Sequence, residues 1–328
     1  MNRNSKIPTK NTATKEKEIK VKRSIAKILA IAALLALCVS SLAGCIVIRV
    51  GKEPTDKAEE YDDAAKYNIA DANGTSISGN VKRLRVYWTS GSVVLKSSPG
   101  KTIGLSEKSA SELTERTRMH YYFDGETLYV RYVGSGRFSI GTLKKDLTVD
   151  LPADVHFEEI EINTVAASVK ADRISADDVT FHTVSGNVDA PDVTADDEIS
   201  FHTISGRIDC NVKGQADKAD IYSVSGNISL TIFPKVKLNV NTTSGDITVC
   251  AAGSLREAEM RSVSGALYLF LPGDAGFDAK LRSVSGSVST DFSTKVDDSH
   301  YITGDGAIKI EADSISGSIK INILPVNN

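Results

Sequence analysis

His182 and His202 stand twenty residues apart, each four positions before the glycine of a Ser-Gly pair, with Tyr222 at the next equivalent position. If equivalent segments stack at strand spacing, the two imidazoles lie about 5 Å apart, within reach of one metal ion. That column offers no third ligand and continues as Arg261 and Arg282, so it reads as a solvated ladder. A second column is acidic. Asp177, Asp197 and Asp217 align nine positions before the glycine, with Asp178, Asp196 and Glu198 alongside. Carboxylates stacked at strand spacing repel by about 1 kcal/mol each even when solvated. Either they splay into water or a calcium ion bridges them. The segment lacks the glycine-rich ligand spacing of calcium-binding repeats, which favours splaying. No metal and no cofactor are expected, with Asp177, Asp197 and Asp217 kept as the one calcium alternative.

Other reactive signatures are missing from the sequence. It has no Gly-Lys-Ser/Thr phosphate loop, no His-Glu-x-x-His and no Gly-x-Ser-x-Gly elbow. Gly134-Ser135-Gly136 opens like a dinucleotide fingerprint, but Ser139 stands where the third glycine belongs. The many Ser-Gly pairs have no His and Asp to match each of them, so they read as turns. Cys38 and Cys45 fall in an apolar segment. Cys210 and Cys250 sit two units apart, about 9.6 Å if stacked and beyond the roughly 7 Å limit for a disulfide, so free thiols are expected.

The elements that must carry these columns come from a repeated phrase: β-branched residue, Ser, Gly, any residue, β-branched residue. It reads Val184-Ser185-Gly186-Asn187-Val188, then Ile204 to Ile208, Val224 to Ile228, Thr243 to Ile247, Val263 to Leu267 and Val284 to Val288. Gly186, Gly206, Gly226, Gly245, Gly265 and Gly286 are 20, 20, 19, 20 and 21 residues apart. A fixed period of this size marks a stacked array in which no unit buries its apolar face alone. Before each glycine, positions such as Val179, Phe181 and Thr183, or Ile199, Phe201 and Thr203, alternate inward. After it, Val188 and Ala190, or Ile208 and Cys210, do the same. Each unit is therefore two short strands with one buried face, turning at a glycine corner where a side chain would obstruct the backbone. The expected fold is all-β, a β-solenoid-like stack of about 20-residue two-strand rungs, with a β-sandwich as the alternative. Val165-Ala166-Ala167-Ser168-Val169 reads as a rung that lost its glycine. Gly306-Ala307-Ile308 falls on the beat, whereas Ile315-Ser316-Gly317-Ser318-Ile319 comes eleven residues later and breaks it. Eight or so rungs would make a rod about 40 Å long.

The chain divides unevenly. Residues 1–27 carry nine Lys/Arg and two Glu, residues 28–44 carry no charge, and the remainder is acidic, the whole summing to −3. A basic start, an apolar run and an acidic body fit a protein held at a membrane, the body on the far side. Leu42-Ala43-Gly44-Cys45 resembles the bacterial lipobox, which would make Cys45 the lipidated residue. Residues 28–48 are also long enough to span a bilayer uncleaved, and both readings stay open. Residues 49–74 read as a polar tether. Residues 75–158 read as an N-terminal cap region, with a hairpin through Asp124-Gly125 and a strand from Leu147 to Pro152. The repeats follow over 159–323. Nucleic acid is not an expected partner, because the acidic body has no basic stripe with interleaved aromatics.

The strand–Ser-Gly–strand units, the Leu147–Pro152 segment leading into them and the single anchor resemble one bacterial family over roughly residues 75–323. These are the cell-envelope proteins known as putative adhesins, a domain of unknown function. The resemblance implies a β-repeat domain at the bacterial cell membrane facing out of the cytoplasm, and some relatives accompany envelope-stress systems. It implies no catalytic residues. The leading functional expectation is a non-catalytic adhesin or envelope scaffold that meets an envelope glycan or surface protein. An envelope-stress accessory or sensor is the alternative. An enzyme acting on polysaccharide along a β-helix groove is the third; it would need carboxylates or a metal with aromatic platforms, and the acidic column is its one candidate.

Overall fold

The computed structural model describes residues 64–134, 143–233, 235–253, 255–297 and 299–325. The basic segment, the apolar run of residues 28–48, Cys45, most of the tether and Ser139 lie outside them. No helix among the described residues is long and apolar enough to cross a membrane. Helix there amounts to one 3₁₀ turn, Ala64–Lys66; the rest of the regular structure is strand, joined into one sheet.

Equivalent strands of the units stack in parallel. Val179, Phe181 and Thr183 pair with Ile199, Phe201 and Thr203, which pair with Ala219, Ile221 and Ser223. Beyond the corner, Val188 and Ala190 pair with Ile208 and Cys210, then with Ile228 and Leu230. These inward columns form the continuous core, nearly all of it sealed from solvent. The parallel ladders between successive units are those of a solenoid-like stack; a sandwich of hairpins would pair strands antiparallel within each unit.

Why glycine holds the corner is visible in the stacking. Most corner glycines do not adopt a left-handed backbone. Instead each lies against the backbone of the layer next to it. A Cβ on Gly206 would overlap the carbonyl oxygen of Gly186, one on Gly226 that of Gly206, and one on Gly265 that of Gly245. The Thr/Ser column three residues earlier completes the turn. Thr183 Oγ1 accepts the Gly186 N–H at 2.9 Å, Ser283 Oγ that of Gly286 and Ser314 Oγ that of Gly317. Ala167 takes the glycine's place in this column: it pairs in register with Gly91, and its carbonyl lies against Gly186. The residue after the glycine also has a task that the repeat phrase left unassigned. Asn187 Oδ1 accepts Arg207 N–H at 2.9 Å, Asn227 Oδ1 accepts Asp246 N–H at 3.0 Å, and Asp246 Oδ1 accepts Ala266 N–H at 2.8 Å. Short amide and carboxylate side chains thus stitch layer to layer.

The order of layers at both ends departs from chain order. Ile308–Ser314 pairs with Glu257–Ser264 on one side and Phe277–Ser283 on the other, parallel to both. Ile319–Ile323 likewise lies between Leu267–Leu271 and Val288–Thr290. The last unit is inserted beneath the one before it, and Gly317 stacks between Gly265 and Gly286. Gly306, which falls on the twenty-residue beat, has φ +66° and turns the chain into the inserted strand. The amino-terminal end mirrors this. Arg83–Ser98 is a full layer cornered at Gly91, held between Phe157–Ala171 and the pair Thr127–Arg131 and Lys145–Pro152. The antiparallel hairpin of His120–Phe123 with Thr127–Arg131 turns at Gly125, φ +106°. Counting along the strands before the corner from Thr127–Arg131 to Phe277–Ser283 gives ten layers, two more than the period alone suggested.

The amino-terminal end contains a buried charge. Lys145 is completely buried, its Nζ 2.9 Å from Glu107 Oε2 and donating to the Thr117 carbonyl at 2.8 Å. The ammonium lies 4.4 Å from the Tyr132 ring centre and 5.0 Å from that of Trp88. Trp88 Nε1 donates to the Lys145 carbonyl, and Glu107 Oε1 accepts the Met119 N–H. Burial pulls the lysine pKa down and Glu107 opposes that pull. The pair ties three segments of the end structure together around one charge.

Candidate functional site

Alternation along the strands before each corner sends the fourth residue ahead of the glycine outward. Stacked in register, these positions form one strip along the rod: Tyr87, Asn163, His182, His202, Tyr222, Asn241, Arg261, Asp313 and Arg282. His182 and His202 stack with ring centres 4.8 Å apart and planes 22° apart; Tyr222 meets His202 edge-on at 4.9 Å. Asn163 and Asn241 are buried within the strip. The two arginines that continue this column are compensated. The inserted layer places Asp313 between them, and Arg282 grips it at 2.5 Å while reaching Glu311 at 2.6 Å. The strip is therefore a continuous polar and aromatic column, half-buried to buried along its length; among the described residues no third potential metal ligand lies beside the histidines.

Burial lowers the pKa of His182, and burial followed by the neighbouring His182 lowers that of His202 to about 4. A base that is harder to protonate when folded contributes stability that is complete above its unfolded pKa, near 6.5. That stability drains away as pH falls from there toward 4. For His202 the loss is at most about 3 kcal/mol. Urea denaturation at pH 7.5 and pH 4.5 is expected to show His202→Asn losing less stability on acidification than the unsubstituted protein, an asparagine being already native to the strip at position 241. Equal losses in the two proteins would remove the imidazole as the cause.

The acidic column is arranged differently from its sequence alignment. Asp178 pairs with Glu198 and Ala176 with Ala195, so Asp196 and Asp197 together face Asp177 across a β-bulge. Asp217 turns to Arg256, whose Nη2 donates to its carbonyl at 2.7 Å and whose Nη1 lies 3.4 Å from its carboxylate. The structure thus does not gather Asp177, Asp197 and Asp217. It joins Asp177 instead to Asp196 and to His156, a histidine outside the repeat columns. His156 Nε2 is 2.8 Å from Asp177 Oδ1 and 3.8 Å from Asp196 Oδ2, and its Nδ1 is 2.7 Å from Ser175 Oγ. Hydroxyl, imidazole and carboxylate are in line, but the backbone at Ser175 is committed to the ladder with Val193–Ala195. The serine hydroxyl thereby orients the ring. Beside this group an open depression of about 360 Å³ is lined by Phe157, Arg173, Ile174, Ser175, Asp192 and Lys213 among others.

Cys210 is buried on the inward face and Cys250 half-buried on the outward one, and both are free thiols. Burial raises the pKa of each, which leaves neither poised as a nucleophile.

Parallel two-strand layers cornered on stacked glycines, with an outward polar strip, define a protein of the stacked β-repeat class. The chain belongs to the Toastrack DUF4097 family, which it matches over residues 78–322. Two solved structures are similar in part. A putative adhesin from Bacteroides fragilis NCTC 9343 is 15% identical, with 76% of this chain and 95% of that one covered and a TM-score of 0.43. A putative cell adhesion protein from Clostridium sporogenes ATCC 15579 is 14% identical, with 79% and 98% covered and a TM-score of 0.27. No curated protein matches the chain.

Proposed function

We propose that this protein is a non-catalytic, membrane-anchored envelope protein whose rod stands outside the cytoplasm and binds a cell-envelope glycan. The carrying observation is the outward column of Tyr87, His182, His202 and Tyr222, half-buried rings fixed in register along the stack, with Asn163 and Asn241 buried among them. Polar rings repeated at strand spacing suit a chain ligand with its own repeat: exposed ring carbons meet apolar sugar faces, and phenol hydroxyls meet sugar hydroxyls. The anchor reading rests on the basic and apolar segments at the amino end. Family membership and the adhesin labels of the two similar structures agree with a surface role.

Retention of envelope polysaccharide on the immobilised full-length protein tests the proposal. Binding is expected, and the double substitution His202→Asn, Tyr222→Ala is expected to weaken it at least tenfold, since stacking on aromatic side chains is worth about 1 kcal/mol or more per ring. Unchanged retention by the double variant would move the contact elsewhere. Release of shortened sugar would favour an enzyme. Failure to bind glycan, together with cross-linking to a membrane kinase or transporter in cells under wall stress, would favour the accessory or sensor reading.

A further inference from the structure

The group at His156 has the composition of a metal site rather than of a surface ion pair alone. Its three potential ligand atoms all lie within 4.8 Å of one another. Ligands of one ion held at about 2.0–2.2 Å are separated by roughly 3–4 Å; His156 Nε2 is 3.8 Å from Asp196 Oδ2, and its 2.8 Å hydrogen bond to Asp177 Oδ1 need lengthen only slightly to admit an ion. The imidazole is not free to choose its orientation. Ser175 holds Nδ1, so Nε2 is the atom aimed into the gap between the two carboxylates. A ligating histidine is usually steadied by a hydrogen-bond partner on its far nitrogen, a position taken here by the Ser175 hydroxyl. Each residue comes from a different layer: His156 leads into Phe157–Ala171, Asp177 belongs to Ile174–Thr183, and Asp196 sits in the bulge of Val188–Thr203. Stacking therefore builds the group, and the extra residue of the bulge brings Asp196 in. The surroundings carry surplus negative charge. Asp178, Glu159, Asp197 and Glu198 stand alongside in the same ladders.

We propose that His156, Asp177 and Asp196 bind a first-row divalent cation, Zn²⁺ being the best match to one imidazole and two carboxylates. The all-oxygen preference of calcium argues against that ion here. All three side chains are partly open to solvent, with fractional exposures of 40–47%. A bound ion would keep coordination positions facing outward for water or for an oxygen of a partner. The site lies apart from the His182–Tyr222 strip and does not depend on the glycan reading.

Calorimetric titration of the full-length protein with ZnCl₂ tests the assignment, alongside His156→Ala, Asp177→Asn, Asp196→Asn and Ser175→Ala. One saturable equivalent is expected. Each of the three ligand substitutions should weaken it at least tenfold, and Ser175→Ala should weaken it about tenfold without changing stoichiometry. Excess CaCl₂ should leave the titration unchanged. Because the side chains are exposed, the variants should melt with the unsubstituted protein when metal is absent, which separates lost binding from lost fold. Absence of saturable binding, equal binding by the wild type and the three ligand variants, or displacement by calcium would each overturn the proposal and leave an ion pair only.

Discussion

Gly206→Ala is expected to destabilise the rod by about 3 kcal/mol or more, the upper end of what an overpacked interior costs. The added methyl would meet the Gly186 carbonyl and the Thr203 hydroxyl at the same time. Neither can swing aside cheaply: one is backbone in the adjacent layer, and the other is a buried side chain of the same turn. Relief requires the two layers to separate locally, which stretches the ladder on both sides of the corner. Gly273→Ala is the control. Its methyl would meet only Ile323 Cγ2 at 3.6 Å, an ordinary contact, and it should change stability by no more than about 0.5 kcal/mol. Equilibrium denaturation of the two variants compares them directly. Equal stabilities would mean that the corner column is set by something other than close approach of carbonyls.

Glu107→Ala should cost about 3–5 kcal/mol, the typical penalty for leaving a buried charge without its partner. Lys145 would keep the Thr117 carbonyl and its two aromatic neighbours but lose the one carboxylate paired with it among the described residues. It could then fold only by shedding its proton or by opening the end structure to water. Lys145→Met alone leaves Glu107 buried in the same way. The double substitution Glu107→Leu, Lys145→Met should be far milder than the sum of the single ones, because both charges leave together. A double-mutant cycle measured by denaturation supplies the coupling energy. Additive effects would show that the pair stabilises nothing as a pair.

Much of the architecture is legible in the chain, and the exceptions have physical causes. Period and alternation identify the inward columns, because burial and strand geometry act on every unit alike. Gly186 through Gly286 are legible for the same reason. What the period cannot carry is spatial order. The spacing from Gly286 to Gly317 is 31 residues instead of 20, and that irregularity was the signal that the final unit is not stacked outermost. Lys145 was also detectable. It alternates with Leu147, Val149 and Leu151 and so falls on the buried face, where a lysine demands a partner. The partner, Glu107, could not be read, since the pairing of the end strands follows no repeat. His156 was hidden more deeply. A constant 20-residue spacing aligns Asp177 with Asp197, and only the bulge, a property of pairing rather than of period, replaces Asp197 by Asp196.

The interleaved ends have a mechanical consequence. A solenoid threaded in simple order can be peeled from a terminus one coil at a time, each coil exposing the next. Here the outermost coils are made from interior stretches of the polypeptide, while Arg83–Ser98 and Ile308–Ser314 are each gripped from both sides. Once the short strands Asn68–Ile69 and Thr75–Ile77 have been peeled from their single partners, force applied through a tether must shear two ladders at once at Arg83–Ser98, as must force drawing on the tail at Ile319–Ile323. Assembly is constrained by the same threading. Phe277–Ser283 has its seat only after Ile308–Ser314 has arrived, so the closing steps at that end wait for the last segment to emerge.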